Sequence, residues 1–277
     1  MKKKIIIIGK NGFIGSNLIK LLKKKFDIKS YGYRKFLNVN RKFLLNVNYV
    51  INCTSNKQYV NKKYSKKNDF DFQISKKIKD LNCKMIFLTS RKIYKLGDNL
   101  NESSKLKPNC NYSKNKLHTE KILLKNLKNR ILILRISNLI GINKFRNNNK
   151  KIYKTFIDSF FLNVQRGIIF NNEKNYKDFL SINKFGEIIE KLINKKVVGT
   201  YNVSLGQKVY LAKLVNWLNL FNKNKYQSID IPKGYKTECF YLNNDKLMKK
   251  INIKNKLIDL EKDCKSISKF FFKKKNK

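Results

Sequence analysis

Apolar positions along this chain follow two periods. Ile5-Ile6-Ile7-Ile8 is continuously apolar and β-branched, as a parallel strand covered on both faces must be. Leu18, Ile19, Leu21 and Leu22 then recur at helical spacing. The alternation continues: strands are predicted over residues 28–34, 48–54, 83–90 and 130–136, with an amphipathic helix over 69–81 after a polar, lysine-rich loop. Residues 99–111, with Pro108, read as a loop that opens into a helix near Asn111. The Asn/Lys-rich run 143–151 reads as another loop. Beyond it the pattern predicts a helix over 152–164, short strands over 168–170 and 179–181, a helix over 183–193, a strand over 199–203 and a helix over 211–220. The tail, Phe270-Phe271-Phe272-Lys273-Lys274-Lys275, reads as a closing helix with a solvated end.

Between the first strand and helix stand Gly9, Gly12 and Gly15, three residues apart. A strand, such a loop and a helix N-terminus suit a pyrophosphate: the backbone can approach it with no Cβ in the way, and free N–H groups face it. The pattern therefore predicts an α/β fold, a Rossmann-type doubly wound parallel sheet with a small C-terminal lobe. It is expected as one unit, with residues 1–142 mainly the dinucleotide-binding core and 143–277 the remaining strands plus a substrate lobe. Cys53-Thr54 ends the third strand in small side chains suited to pass under a cofactor, and Thr89-Ser90 places hydroxyls at the tip of the fourth, where ligands bind in this architecture. No Asp or Glu occurs between Ile28 and Asn68, and Arg34 stands where a carboxylate would hold a ribose 2′-hydroxyl. The expectation is a nicotinamide dinucleotide, NADP in preference to NAD.

The 277 residues carry 64 Lys and Arg against 18 Asp and Glu, a net charge of +46, with 42% hydrophobic residues. Such a charge would suggest nucleic acid or a membrane surface. Lysines spread along the chain, a single Ala (Ala212) and two prolines (Pro108, Pro232) are instead the pattern of codon drift in an AT-rich genome. No specific nucleic acid is expected, although the field would draw in anionic substrates. No run approaches the roughly 20 apolar residues of a membrane span. Five cysteines (Cys53, Cys83, Cys110, Cys239, Cys264) without CxxC spacing read as reduced, buried thiols, hence a soluble cytoplasmic protein. One histidine, His118, and no ligand cluster give no metal site.

Tyr112 and Lys116 are four apart on a predicted helix, which puts the ammonium within reach of the phenol. With this pair in place, the chain resembles the extended short-chain dehydrogenase/reductase family, the NAD-dependent epimerase/dehydratase proteins of nucleotide-sugar metabolism. Gly9-Lys-Asn11-Gly12-Phe13-Ile14-Gly15-Ser is similar to its GxxGFIGS loop, Leu88-Thr-Ser90-Arg-Lys-Ile-Tyr94 to its serine-bearing strand end, and Tyr112-Ser-Lys-Asn-Lys116 to YxxxK. Leu134-Arg135-Ile-Ser-Asn138-Leu-Ile-Gly141 is similar to LRxxNxxG, Tyr176-Lys177-Asp178-Phe179 to RDF, and Gly199-Thr-Tyr-Asn202-Val-Ser-Leu-Gly206 to GxYNVGxG.

The resemblance implies Ser90, Tyr112 and Lys116 as catalytic residues. It implies Gly9, Asn11, Gly12, Phe13, Ile14, Gly15, Arg34, Cys53, Thr54, Tyr112 and Lys116 at the cofactor, and Ser90, Asn138 and Lys177 at the substrate. The family's dehydratases carry Asp-Glu after the hydroxyl; Arg91 and Lys92 stand here and argue against dehydration. Lys177 replaces an Arg that grips the nucleotide phosphate, and His118, within the Tyr112 helix, reads as structural. A phenol titrates near 10, so an ammonium and an oxidised nicotinamide beside it would favour its phenolate and let it pass a proton. The implied function is hydride transfer at a sugar carbinol or ketone. The short chain favours a 4-keto reductase over the alternative, a 4-epimerase; a different class, a nucleic-acid-binding or scaffold protein on the same fold, is argued against by the retention of all three residues. A homodimer through a helix pair is also implied.

Overall fold

The computed structural model describes residues 2–142, 156–171, 173–231 and 238–273. The predicted loop 143–151 and the first residues of the predicted helix 152–164 lie outside them. In chain order the first half is β1 (Lys4–Ile8), α1 (Phe13–Leu22), β2 (Asp27–Tyr31), α2 (Tyr33–Leu37), α3 (Arg41–Leu44), β3 (Tyr49–Asn52), α4 (Lys57–Asn61), α5 (Phe70–Ile78), β4 (Lys84–Ser90), α6 (Asn111–Leu127) and β5 (Ile131–Ile136). There follow β6 (Asn138–Ile140), α7 (Phe156–Gln165), β7 (Ile168–Asn171), β8 (Tyr176–Lys177), β9 (Phe179–Ser181), α8 (Ile182–Asn194), β10 (Gly199–Val203), β11 (Val209–Tyr210), α9 (Leu211–Asn219), β12 (Gln227–Asp230), α10 (Asp245–Ile251) and α11 (Leu257–Lys273).

Six strands form one parallel sheet in the order β10-β5-β4-β3-β1-β2. Strand period 2 explains the uninterrupted apolar runs. Ile5, Ile7, Ile51, Ile86 and Leu134 face a core closed by Leu18 and Leu22 of α1 and Ile188 and Leu192 of α8. Their neighbours Ile6, Ile8, Val50, Phe87 and Ile133 face the opposite core, closed by Ile74 and Ile78 of α5 and Leu123 and Leu127 of α6. A third apolar cluster joins Phe160 and Phe161 of α7 to Leu214 and Trp217 of α9 and Leu260 of α11.

Several expectations are corrected. The strand predicted over 28–34 ends at Tyr31; Gly32 caps α2, because Phe36 turns into the core instead of continuing an extended run. The lysine-rich stretch before α5 contains α4, whose N-terminus Asn56 caps through the amide of Gln58. Of the strands predicted beyond residue 152, only β10 joins the main sheet; β9 pairs with β6 and β7 with β12. Cys110 is exposed, not buried, because it is the residue before α6; Cys53 and Cys239 are half-buried, Cys83 and Cys264 are buried, and none of the five is in a disulfide.

Candidate active site

Strand order reverses at β1, between β2 and β3, which opens a crevice at the C-terminal ends of these strands. There the Gly9 amide donates to the Tyr31 carbonyl at 2.8 Å and the Cys53 amide to that of Ile8 at 2.8 Å. Gly9 has φ +100°, and a Cβ on it would lie 2.7 Å from Cγ2 of Thr54. A Cβ on Gly15 would overlap the Gly9 carbonyl oxygen. The loop is thus pressed onto Cys53 and Thr54, and Thr54 is itself tied down, its hydroxyl and amide donating to Oδ1 of Asn52 at 2.5 and 3.0 Å. Gly12 begins α1 with no side-chain cap, and the first turn holds no acid. Backbone amides at an uncapped helix start, above a loop a Cβ would block, fit the pyrophosphate of a dinucleotide. Phe13 and Ile14 are half-buried beside it and Asn11 is exposed. Burial pushes the Cys53 thiol up, which leaves it a neutral packing group. Arg34 is exposed in the first turn of α2, three residues past the Tyr31 carbonyl that anchors the loop.

Ser90 is the last residue of β4, half-buried, its Oγ accepting from the Lys92 amide at 3.3 Å. Tyr112 is the second residue of α6, and α6 packs against both β4 and the turn after Ser90. Lys116, one turn on, is buried. Its ammonium lies 3.3 Å from Oδ2 of Asp71 and 4.6 Å from the centre of the Phe87 ring. Asp71 Oδ1 accepts from the Asn52 side chain at 2.8 Å. Burial alone would lower the Lys116 ammonium; Asp71, with Tyr112 and Asp69 beyond it, holds it above the ordinary lysine value, so it stays charged inside the protein. Asp69 is equally buried, capping α5 through the Phe72 amide and accepting from Thr119 at 2.6 Å.

Several other residues of these motifs hydrogen-bond to one another inside the protein. Arg135 is buried, pairs with Glu120 and donates to the Tyr94 hydroxyl at 2.9 Å; Tyr94 donates in turn to Asn202 at 2.7 Å. Asn202 also holds the Leu100 and Asn243 carbonyls. Asp178 gathers the amides of Leu205, Gly206 and Leu242, and burial pushes its carboxyl up to about 6. Asn138 is half-buried and donates from its side-chain amide to the Asp178 carbonyl at 3.0 Å. His118 is exposed, its ring 4.0 Å from that of Tyr64.

A cavity of 260 Å³ lies between the segment leaving β4 (Arg91, Lys92, Lys95) and the segment entering α6 (Lys107, Asn109), with Glu238 also in its lining. Lys177 of β8 stands close enough for Arg91 and Lys92 to repel its charge.

Sequence reasoning missed Asp71 and Asn52. The signal for Asp71 was available: Asp71, Ile74, Ser75 and Ile78 share one helical face, and that face is buried. The partner was not, because Lys116 lies 45 residues away.

The model of the NAD dependent epimerase/dehydratase family matches residues 5–204. No curated protein matches the chain by sequence. Among solved structures, the UDP-N-acetylglucosamine 4-epimerase of Methanobrevibacter ruminantium M1, in complex with UDP-N-acetylmuramic acid, superposes with a TM-score of 0.79 at 19% identity, over 99% of this chain and 100% of that one. RMD from Pseudomonas aeruginosa, complexed with NADPH, gives 0.76 at 14% identity over 99% of each chain. A dTDP-4-dehydrorhamnose reductase from Clostridium acetobutylicum ATCC 824 gives 0.75 at 16% identity over 97% of this chain and 99% of that one.

Proposed function

We propose a function from one premise: the chain belongs to the NAD-dependent epimerase/dehydratase family. The reading is a nicotinamide-dependent oxidoreductase of a nucleotide-linked sugar, reducing a 4-keto group. One juxtaposition carries it: Tyr112 and the buried, charged Lys116 stand one turn apart at the start of a helix packed against the Ser90 strand end. Epimerases and reductases among the structural neighbours share the nucleotide-diphosphate sugar in their names, which supports the substrate class.

A bound nicotinamide supplies the hydride donor or acceptor. The amides at the start of α1 and the glycine loop hold its pyrophosphate, and Arg34 favours the phosphorylated form, NADP. Tyr112 gives its hydroxyl proton to the sugar oxygen as the ketone becomes a carbinol, and takes it back in the opposite direction. Ser90 Oγ donates to that same oxygen and orients it. Lys116 keeps a positive charge below the phenol, and Asp71 keeps that charge in place. Lys177 serves the substrate's anionic end. A second reading, a 4-epimerase, is favoured by the M. ruminantium neighbour.

Tyr112→Phe tests the reading. It should bind cofactor nearly as the wild type does yet lose turnover about 100- to 10,000-fold, measured on a nucleotide-sugar panel by reduced-nicotinamide absorbance and by product chromatography. Net cofactor oxidation identifies a reductase, and stereoisomer exchange without it a 4-epimerase. Wild-type turnover by Tyr112→Phe on a confirmed substrate would remove the phenol from the chemistry.

A further inference from the structure

A doubly wound dinucleotide-binding sheet ordinarily carries a further strand outside its second. Here the chain leaves β2, passes through α2 and α3 and enters β3, and among the described residues no strand pairs with the outer edge of β2. The side wall of the crevice above β1 and β2 is therefore made by α2 and by what packs on it. A dinucleotide places its adenosine on that side: the pyrophosphate lies at the start of α1 and the ribose beside the end of β2.

Just past that end, Tyr33 meets Phe70, the first residue of α5: the ring centres are 3.5 Å apart and the planes 13° from parallel. Both residues are half-buried, so the pair is not closed inside a core. Phe161 and Phe271 also stack, but within the third apolar cluster, where Phe161 has no exposure. Burial, and then the Asp69 charge, push the Tyr33 phenol up, which keeps the ring neutral. Phe70 also lines a recess with Thr54, Ser55 and Asn56. Thr54 is the residue pressed against Gly9, so the recess runs from the glycine loop to the aromatic pair. In it the Ser55 hydroxyl is buried without a hydrogen-bond partner. Such a group is costly to leave in place unless a ligand or water satisfies it.

We infer that the adenine of the cofactor lies against the Tyr33–Phe70 pair, with the Ser55 hydroxyl at its edge, so that an aromatic platform takes the place of the absent strand. The inference rests on the functional reading above and adds to it the residues that recognise the base. A purine is flat, with π faces and polar nitrogens at its rim, which suits a ring pair beside an unsatisfied hydroxyl. Arg34, next to Tyr33, then stands beside the ribose that the same base carries.

Calorimetric titration of the full chain with NADP, NAD, ADP and nicotinamide mononucleotide tests it. Tyr33→Leu, which keeps an apolar side chain but no ring, should weaken ADP and the preferred dinucleotide by about 5- to 150-fold and leave nicotinamide mononucleotide unchanged. Tyr33→Phe should restore the affinity, and Ser55→Ala should lose about 2- to 10-fold. Tyr210→Leu, at an exposed ring of β11, should bind as the wild type does. Fluorescence of etheno-ADP needs no variant: the portion that excess dinucleotide displaces should be quenched by stacking in the wild type, and its emission should recover in Tyr33→Leu. Dinucleotide affinity unchanged in Tyr33→Leu overturns the inference alone. So does an equal loss for nicotinamide mononucleotide, a Tyr33→Phe no better than Tyr33→Leu, or unquenched etheno-ADP on the wild type. A loss in Tyr33→Leu without one in Ser55→Ala removes the hydroxyl from the base site. A wild type that binds neither NADP nor NAD overturns the functional reading as well.

Discussion

Asp71→Asn replaces a buried carboxylate with an amide of the same size and separates the charge of Asp71 from its shape. The Asp71 and Lys116 side chains are 6% and 8% exposed, with oxygen and nitrogen 3.3 Å apart. At an effective dielectric constant of about 20, two charges at that distance attract by ~5 kcal/mol. Desolvation consumes much of this in the intact pair, but removing one partner leaves the other buried and uncompensated, a loss of about 3–5 kcal/mol. The amide also offers one acceptor oxygen where the carboxylate offers two, so either the Lys116 ammonium or the Asn52 side-chain N–H would meet another donor. The groups around the pair are Asp69 at the α5 cap, Cys53 after β3, Tyr59 of α4 and Tyr112 of α6, and burial pushes the Cys53 thiol and the Tyr59 phenol up. Asp69 is then the remaining carboxylate, already committed to Thr119 and Tyr64.

The pH dependence has a definite sign. In the wild type Lys116 is raised, so its contribution is complete at neutral pH and is lost only as pH climbs through its folded value. In Asp71→Asn burial prevails and the lysine falls below the ordinary value, so the deficit is largest at low pH and shrinks as alkali removes the proton. The melting temperature by circular dichroism should drop by about 6–20 °C at pH 6 and by less at pH 9. Asp71→Asn/Lys116→Met should recover part of the loss, because no buried charge remains. Turnover should fall with cofactor affinity less affected, and its pH profile should move. A drop under about 1 kcal/mol, or a deficit flat from pH 6 to 9, would refute a buried, charged pair.

Arg34→Ala should reduce NADP(H) affinity while leaving NAD(H) unchanged, read by fluorescence titration; equal effects would put the guanidinium in solvent. Asp178→Asn should destabilise the protein by about 2–3 kcal/mol, since an amide offers one acceptor oxygen to three backbone N–H groups. Because burial lifts the Asp178 carboxyl from 3.8 to about 6, its contribution to stability is complete below 3.8 and is lost as pH rises through about 6. That slope amounts to ~3 kcal/mol in urea melts, and Asp178→Asn should lack it. Duplex DNA should bind weakly, without sequence preference, and release between 50 and 200 mM salt; a sequence-specific complex surviving at 200 mM would favour the nucleic-acid reading.

Periodicity and spacing act over a few residues, and what they control was legible without coordinates. The four-isoleucine run, the Gly9–Gly15 loop, the helix starting at Asn111 and the one-turn separation of Tyr112 from Lys116 are all local, and the structure contains each of them. Element ends were less legible. Whether 28–34 stays extended depends on Phe36 finding a core assembled from distant strands, and that core stops the strand at Tyr31. Tertiary structure alone decided the partners. It gave Lys116 its counter-charge from Asp71, made Arg135, Tyr94 and Asn202 a buried network, and set Asp178 as the anchor of two loops. It also gathered Arg91, Lys92 and Lys177 around one carboxylate. Charge pairing and desolvation depend on distance through space, and a chain this rich in lysine carries no mark along its length of which cations will be matched.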